Sequence, residues 1–164
     1  MPKSAKPRKK CRPKSKLTNP MAWLLEGFSP VEKQSEYMLK LRLVNANALD
    51  SLVRGIAVSK HINDLLAAHN MSVALVHLKL GEDYAHLLEP AYNAFMATIE
   101  RYKSVGKFVC RGPEIAAIKD LMELHDAQLS ACTLERFEEG INIANAKKIP
   151  LLFHYSVKEL SNEH

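Results

Sequence analysis

At 164 residues the chain has the length of one ordinary domain, enough to bury a core without help from disulfides or a structural metal. Its 47% hydrophobic and 25% charged residues are those of a soluble globular protein, and no window approaches the roughly 20 apolar residues of a membrane span. The net charge of +5 joins two unlike parts: Lys3, Lys6, Arg8, Lys9, Lys10, Arg12, Lys14 and Lys16 stand with no acid in residues 1–16, while the rest of the chain holds 15 basic residues against all 18 acidic ones.

Residues 1–19 read as a basic arm. Pro2, Pro7 and Pro13 interrupt it, and after Met1 no large apolar side chain occurs before Leu17. The arm has nothing to bury that would offset the entropy of ordering it, so it is expected to be disordered. It is not a secretory signal, because the apolar stretch Met21-Ala22-Trp23-Leu24-Leu25 is too short and runs into Glu26. Within residues 20–28, Trp23, Leu24 and Phe28 are expected to dock onto the body.

Ser29 and Pro30 form a helix start, with the serine as N-cap and the proline in the first turn. From there to Gly55, Tyr37, Leu41, Val44, Ala48 and Leu52 recur at helical spacing. Leu39-Lys40-Leu41-Arg42-Leu43 alternates like a strand, but the length of the pattern favours a helix. Ser59 opens a second helix. At about 100° per residue, Ile62, Leu65, Leu66, His69, Val73, Val76, His77 and Leu80 fall within one arc of about 120°, and Gly81 is expected to close it. A third helix over Glu82–Lys103 presents Tyr84, Leu87, Leu88, Ala91, Phe95 and Tyr102, with a kink expected at Pro90. Gly106 to Gly112 reads as an extended connector. Pro113 and Glu114 begin a fourth helix with the stripe Ile115, Ile118, Leu121, Met122, His125, Leu129 and Cys132. Thr133 caps a fifth, carrying Leu134, Phe137, Ile141 and Ala144. After Pro150 the periodicity fails; Leu151-Leu152-Phe153 is expected to pack back, and Ser156-x-x-Glu159 has the form of a cap for one last turn. The fold implied is an all-α bundle of about five helices in one domain, residues 20–164, with an irregular C-terminus.

Motifs for catalysis are missing. There is no glycine-rich phosphate loop, no G-x-S-x-G elbow and no H-E-x-x-H. A di-iron bundle needs two Glu-x-x-His pairs, and Asp83-x-x-His86 occurs once. No metal, no cofactor and no enzymatic role are expected. Cys11, Cys110 and Cys132 are odd in number and lack C-x-x-C spacing, which points to a reducing, cytoplasmic setting.

His69 and His125 lie mid-stripe, where an unpaired imidazole is costly. Each reads as a core histidine held by a hydrogen bond, from Asn45 for His69 or from a backbone carbonyl. The alternative places both in one polar core pocket with Gln128, flanked by Glu123 and Asp126. The run Leu65–Val73 resembles the turn of a helix-turn-helix, but the stripe keeps phase across Asn70, which such a turn would break.

The arm reads as a binder of DNA or RNA. Eight cations suit phosphate spacing, and the lack of aromatics among them implies binding without sequence preference. A solvated tail is its bland alternative. An anionic membrane fits less well, because residue 2 is Pro, not the Gly of a myristoylation site. A second reading of the whole chain is a helical adaptor or homodimer whose apolar surface meets a protein partner.

Lys9-Lys10-Cys11-Arg12-Pro13-Lys14 and Glu123-Leu124-His125-Asp126-Ala127-Gln128-Leu129 resemble the opening Lys-Lys-x-Arg-Pro-Lys and the late Leu-His-Asp-x-Gln-Leu segments of a family of small bacterial and phage-associated helical proteins. The likeness covers most of the chain. The first motif is low in complexity, and the second is the more specific. The family is uncharacterised, so the resemblance implies a bacterial cytoplasmic setting and argues against nuclear import, without implying an activity. Cys11 stands where aromatic residues are frequent in that family, which argues against base stacking at this position.

Overall fold

The computed structural model describes residues 36–146 and 149–154. Among them are five α-helices, one 3-10 helix and no strand. The helices are α1 (Glu36–Val53), α2 (Ser59–His77), α3 (Leu88–Val105), α4 (Gly112–Ala131) and α5 (Leu134–Asn145), with the 3-10 helix at Glu82–Leu87. The architecture is the all-α bundle that the sequence implies. The basic arm, the stretch with Trp23, Leu24 and Phe28, the Ser29-Pro30 start and the Ser156–Glu159 cap lie outside the described residues.

Helix α2 is the axle of the bundle, in contact with each of the other four helices and with the 3-10 helix. A helix can take that place only if it is apolar nearly all round, and α2 is. Ala68, Met71, Ala74 and Leu75 are buried along with Ile62, Leu65 and Leu66. The single 120° arc was therefore too narrow, and His77, placed on it, is exposed. The larger core cluster fills the space among α1 to α4 around Leu52, Ile62, Leu65, Phe95, Ile118 and Leu121. A smaller one lies where α5 crosses α2 and the end of α4, around Met71, Leu75, Leu80, Leu129 and Phe137.

Four details depart from the periodic reading. In α1 the buried residues are Met38, Asn45, Ala48, Ser51 and Leu52, while Tyr37 and Val44 are 59% and 38% exposed. The helix is thus rotated away from its most apolar stripe, and two polar residues go inward. At the end of α2, Lys79 and not Gly81 takes the left-handed position (φ 67°), with Leu80 N–H donating to Leu75 O and Lys79 N–H to Val76 O, each at 2.9 Å. That pair of bonds is a Schellman close; Gly81 (φ 82°) then opens the 3-10 helix. Because α3 begins afresh at Leu88, Pro90 falls in its first turn, where the missing N–H has no intrahelical acceptor. No kink is required there. Finally, Leu134 at the start of α5 is 59% exposed instead of lining its buried face.

Ends and connectors are fixed by identifiable contacts. Thr133 caps α5 as expected, its hydroxyl accepting from Arg136 N–H at 3.2 Å. The connector after Gly106 buries Phe108, whose ring stacks on Tyr102 at 4.0 Å between centroids. Arg101 grips Glu114 with two hydrogen bonds of 2.8 and 3.1 Å, and also donates to Val109 O, tying α3 to the start of α4. Leu151 (φ 66°) turns the chain so that Leu152 and Phe153 pack back on the core, as their apolar character implies. Asn70 then holds Phe153 at both backbone atoms: its Nδ2 donates to the carbonyl at 2.9 Å, and its Oδ1 accepts from the N–H at 2.8 Å.

The α2–α5 crossing depends on Gly140. A Cβ there would come within 2.9 Å of Met71 Sδ and 3.3 Å of Leu75 Cδ2. Gly140→Leu is therefore expected to cost about 1–3 kcal/mol by overpacking, as read by urea denaturation. Gly140→Ala gains about 1 kcal/mol of helix propensity and should sit near wild type, since the thioether can swing aside. A Gly140→Leu protein as stable as wild type would show that the crossing is not tight.

Candidate functional site

Two buried histidines dominate the polar interior. They do not share a site. His69, on the middle of α2, is fully buried, and its Nε2 lies 3.2 Å from the carbonyl oxygen of Leu88 at the start of α3. Its bond thus goes to a backbone carbonyl and not to Asn45. Around the ring stand Tyr92, Phe95 and Phe153, with centroids 6.0, 6.0 and 5.2 Å away. Burial pushes the His69 pKa from 6.5 down to about 4, against the opposing pull of the Leu88 hydrogen bond and of the Asn70 side chain.

His125 sits on α4 and turns its Nδ1 to Ser72 Oγ on α2, at 3.0 Å. Gln128, one turn along α4, sends its Nε2 to two carbonyls, Leu80 O at 2.9 Å and Ser72 O at 3.3 Å. The three side chains are wholly or almost wholly buried. Together they pin α4 to the second half of α2 and to the turn that follows it. Burial, helped by the Arg42 guanidinium, lowers the His125 pKa from 6.5 to about 4. Of His69, His125 and Gln128, the structure brings the last two together at Ser72, while His69 stands apart in the aromatic cluster. Spacing on one helix could not reveal Ser72 as the link, because the contact spans 53 positions of sequence.

A serine hydroxyl on an imidazole is the pairing of nucleophile and base. Ser72, however, is completely buried in mid-helix, where no reacting group reaches it. Burial likewise raises both described thiols, Cys110 above its ordinary value and Cys132 to about 11, so neither is a thiolate at neutral pH. In the two histidines and the glutamine, the buried atoms His69 Nδ1, His125 Nε2 and Gln128 Oε1 find no hydrogen-bond partner among the described residues.

Beside His125 an open cavity of about 480 Å³ lies between α1 and α4. Asn45, Leu49 and Met122 line it together with Arg42, Asp126 and Glu123, which places the two expected flanking acids at its edge. Arg42 is already engaged: its Nε lies 3.0 Å from Asp126 Oδ1, and its Nη2 donates to Ser130 Oγ at 2.6 Å. The cavity walls carry two cations, Arg42 and Lys119, and two anions, Glu123 and Asp126, so they offer no net charge to a ligand.

Among the described residues no group of three or more His, Cys, Asp or Glu could hold a metal ion. Asp83 and His86 meet only through the Asp83 carbonyl, 3.1 Å from His86 Nδ1, on the exposed 3-10 helix. The segment Leu65–Val73 runs through continuous α2, without a turn at Asn70. No described helix is long and apolar enough to cross a membrane. Lys3, Lys6, Arg8, Lys9, Lys10, Arg12, Lys14 and Lys16 all lie outside the described residues. No family model, curated protein or solved structure matches the chain.

Proposed function

We propose that this is an accessory protein of a bacterial chromosome or mobile element, binding DNA or RNA without sequence preference through Lys3, Lys6, Arg8, Lys9, Lys10, Arg12, Lys14 and Lys16. One observation carries the reading: eight cations and no acid in sixteen residues, attached to a body in which acids outnumber bases. Such an arm gains affinity by releasing condensed counterions from phosphates, and the acidic body repels the same polyanion. The interior supports this division of labour, because its histidines, serine and glutamine are spent on joining helices.

With five or six cations on duplex phosphates, the slope of log affinity against log salt should be about −5. Arg8→Ala, Lys9→Ala, Lys10→Ala and Arg12→Ala combined should flatten that slope by about three to four and weaken unrelated duplexes alike. Deleting residues 1–16 should remove binding and leave the melting temperature unchanged, since the arm brings no large apolar side chain to the core. Equal affinity with and without the arm would refute the reading.

The helical adaptor or homodimer is the second reading. It draws on Leu39 and Leu43, 45% and 70% exposed on the face of α1 opposite its buried residues. Retention of a protein partner after nuclease treatment, by a protein lacking residues 1–16, would favour it.

A further inference from the structure

A second, smaller opening lies on the other side of α1 from the one beside Lys119, the two sharing Asn45 and His125. It is a groove of about 190 Å³ in which α1 and α5 form the walls and α2 the floor. Tyr37 and Val44 line it from α1, Ala68 and Met71 from α2, Phe137 and Ile141 from α5. The Tyr37 and Phe137 rings meet edge to face at its mouth, 6.2 Å between centroids. Its lining is mainly apolar, with Asn45, Asp64 and His125 as the polar members. Asp64 is the one carboxylate on it, and that group is held by Lys60 at 2.7 Å. Tyr37 and Val44, half-exposed on the described surface, are side chains that form its wall.

We propose that the groove is the seat of this chain's own residues 20–28, with Trp23 as the anchor and Leu24 and Phe28 beside it. Three observations select this occupant. The described part of α1 begins at Glu36, one residue from Tyr37 in the groove wall, so the preceding chain leaves from the groove itself. Only nine residue steps separate Phe28 from Tyr37, a reach of up to about 30 Å when extended, so the segment can return with length to spare. Residues 20–28 hold the chain's sole tryptophan, with Leu24, Leu25 and Phe28, as an apolar block between a charged arm and α1. An aromatic anchor suits a groove with a methionine sulfur in its floor. A tethered segment also faces a high local concentration of its site, which an external peptide lacks. Seated there, the segment would root the basic arm beside α1 and α5. The inference does not depend on what the arm binds.

Trp23 is its own reporter, because the full chain holds no other tryptophan. In the full-length protein its emission is expected to the blue of N-acetyltryptophanamide and to be poorly quenched by acrylamide. Ala67→Glu and Val44→Lys alter groove-lining positions that are exposed in the described structure, so the helical circular dichroism should persist. Both should shift the emission to the red and open it to quenching, whereas deletion of residues 1–16 should leave it unchanged. A wild-type tryptophan that is red-shifted and freely quenched would overturn the proposal. So would a blue-shifted one indifferent to both substitutions, which would place Trp23 elsewhere. Emission that depends on protein concentration, with a doubled mass by sedimentation, would mean that a second copy supplies the segment, and the self-docked seat would be wrong.

Discussion

Acidification from pH 7 to pH 5 is expected to remove a large part of the stability of this fold, before any carboxylate is protonated in quantity. His69 and His125 are both held neutral by burial, each with a pKa lowered from 6.5 to about 4. As the pH falls, the unfolded chain takes up two protons near pH 6.5 that the folded chain refuses. Their stabilisation is complete above pH 6.5 and drains as the pH falls toward 4, below which both states are protonated and nothing further is lost from these groups. The full window amounts to about 3 kcal/mol for each imidazole, set against a total of roughly 5–15 kcal/mol for an ordinary domain. Glu114 acts in a lower window. The Arg101 hydrogen bonds hold its carboxyl below the ordinary 4.5, so its contribution is present above that value and fails only in stronger acid.

Urea denaturation at pH 7, 6 and 5 would resolve the histidine window from the carboxylate one. His125→Leu should be close to neutral at pH 7, since it removes a desolvated group along with its bond, and Ser72 can turn to the carbonyl one helical turn earlier. The same substitution should halve the pH dependence between 7 and 5. A wild-type protein equally stable at both pH values would show that these imidazoles are open to solvent. The basic arm should not blur the result, because lysine and arginine keep their charge throughout this range.

Much of this interior was legible in the sequence, and the boundary of legibility has physical causes. The core of α4, one side of α2 and Phe137 of α5 followed from apolar residues three and four apart, because those helices bury the sides that their sequences make apolar; α2 buries other sides as well, and Leu134 of α5 stays exposed. In α1 the same rule failed. Asn45 and Ser51 are buried there while Tyr37 and Val44 stay half-exposed, since the helix is oriented by its packing on α2 and α4, which periodicity does not encode. In sequence Pro90 looks like a kink, because the chain from Glu82 to Lys103 has the pattern of one amphipathic run. The 3-10 helix shifts the start of α3 to Leu88 and makes the proline harmless. Both histidines were recognisable as buried, since each sits among apolar residues on its helix. Their partners were not: Leu88, Ser72 and the aromatic rings come from other elements, and no local pattern announces which face meets which.

Phe153 is the clearest case of a residue whose importance only the tertiary structure reveals, and Phe153→Ala is expected to have two separable consequences. The ring is 6% exposed, stacks on Tyr92 at 4.6 Å and meets Phe95 and His69 edge to face. Truncating it removes that burial and leaves a void against α2 and α3. The loss at pH 7 should be about 3–5 kcal/mol, in the range of phenylalanine truncations in well-packed cores. The second consequence concerns protons. Phe153 is part of the apolar cover that desolvates His69, so water entering the void should let the His69 pKa climb from about 4 back toward 6.5. The variant would then be weaker at pH 7 yet lose less stability on going to pH 5 than wild type does. Asn70→Ala provides the contrast: it breaks the two backbone bonds to Phe153 without removing the ring. If the ring stays in place through its own packing, that variant should lose stability. Because the Asn70 side chain also raises the His69 pKa, the further loss on going to pH 5 should match or slightly exceed that of wild type instead of shrinking. Denaturation curves at the two pH values separate these cases, with the histidine C2 proton shifts reporting the titration directly. A Phe153→Ala protein with wild-type stability would show that the C-terminal segment is not seated on the core. One with reduced stability and an unchanged His69 titration would show that Tyr92 and Phe95 alone keep the imidazole dry.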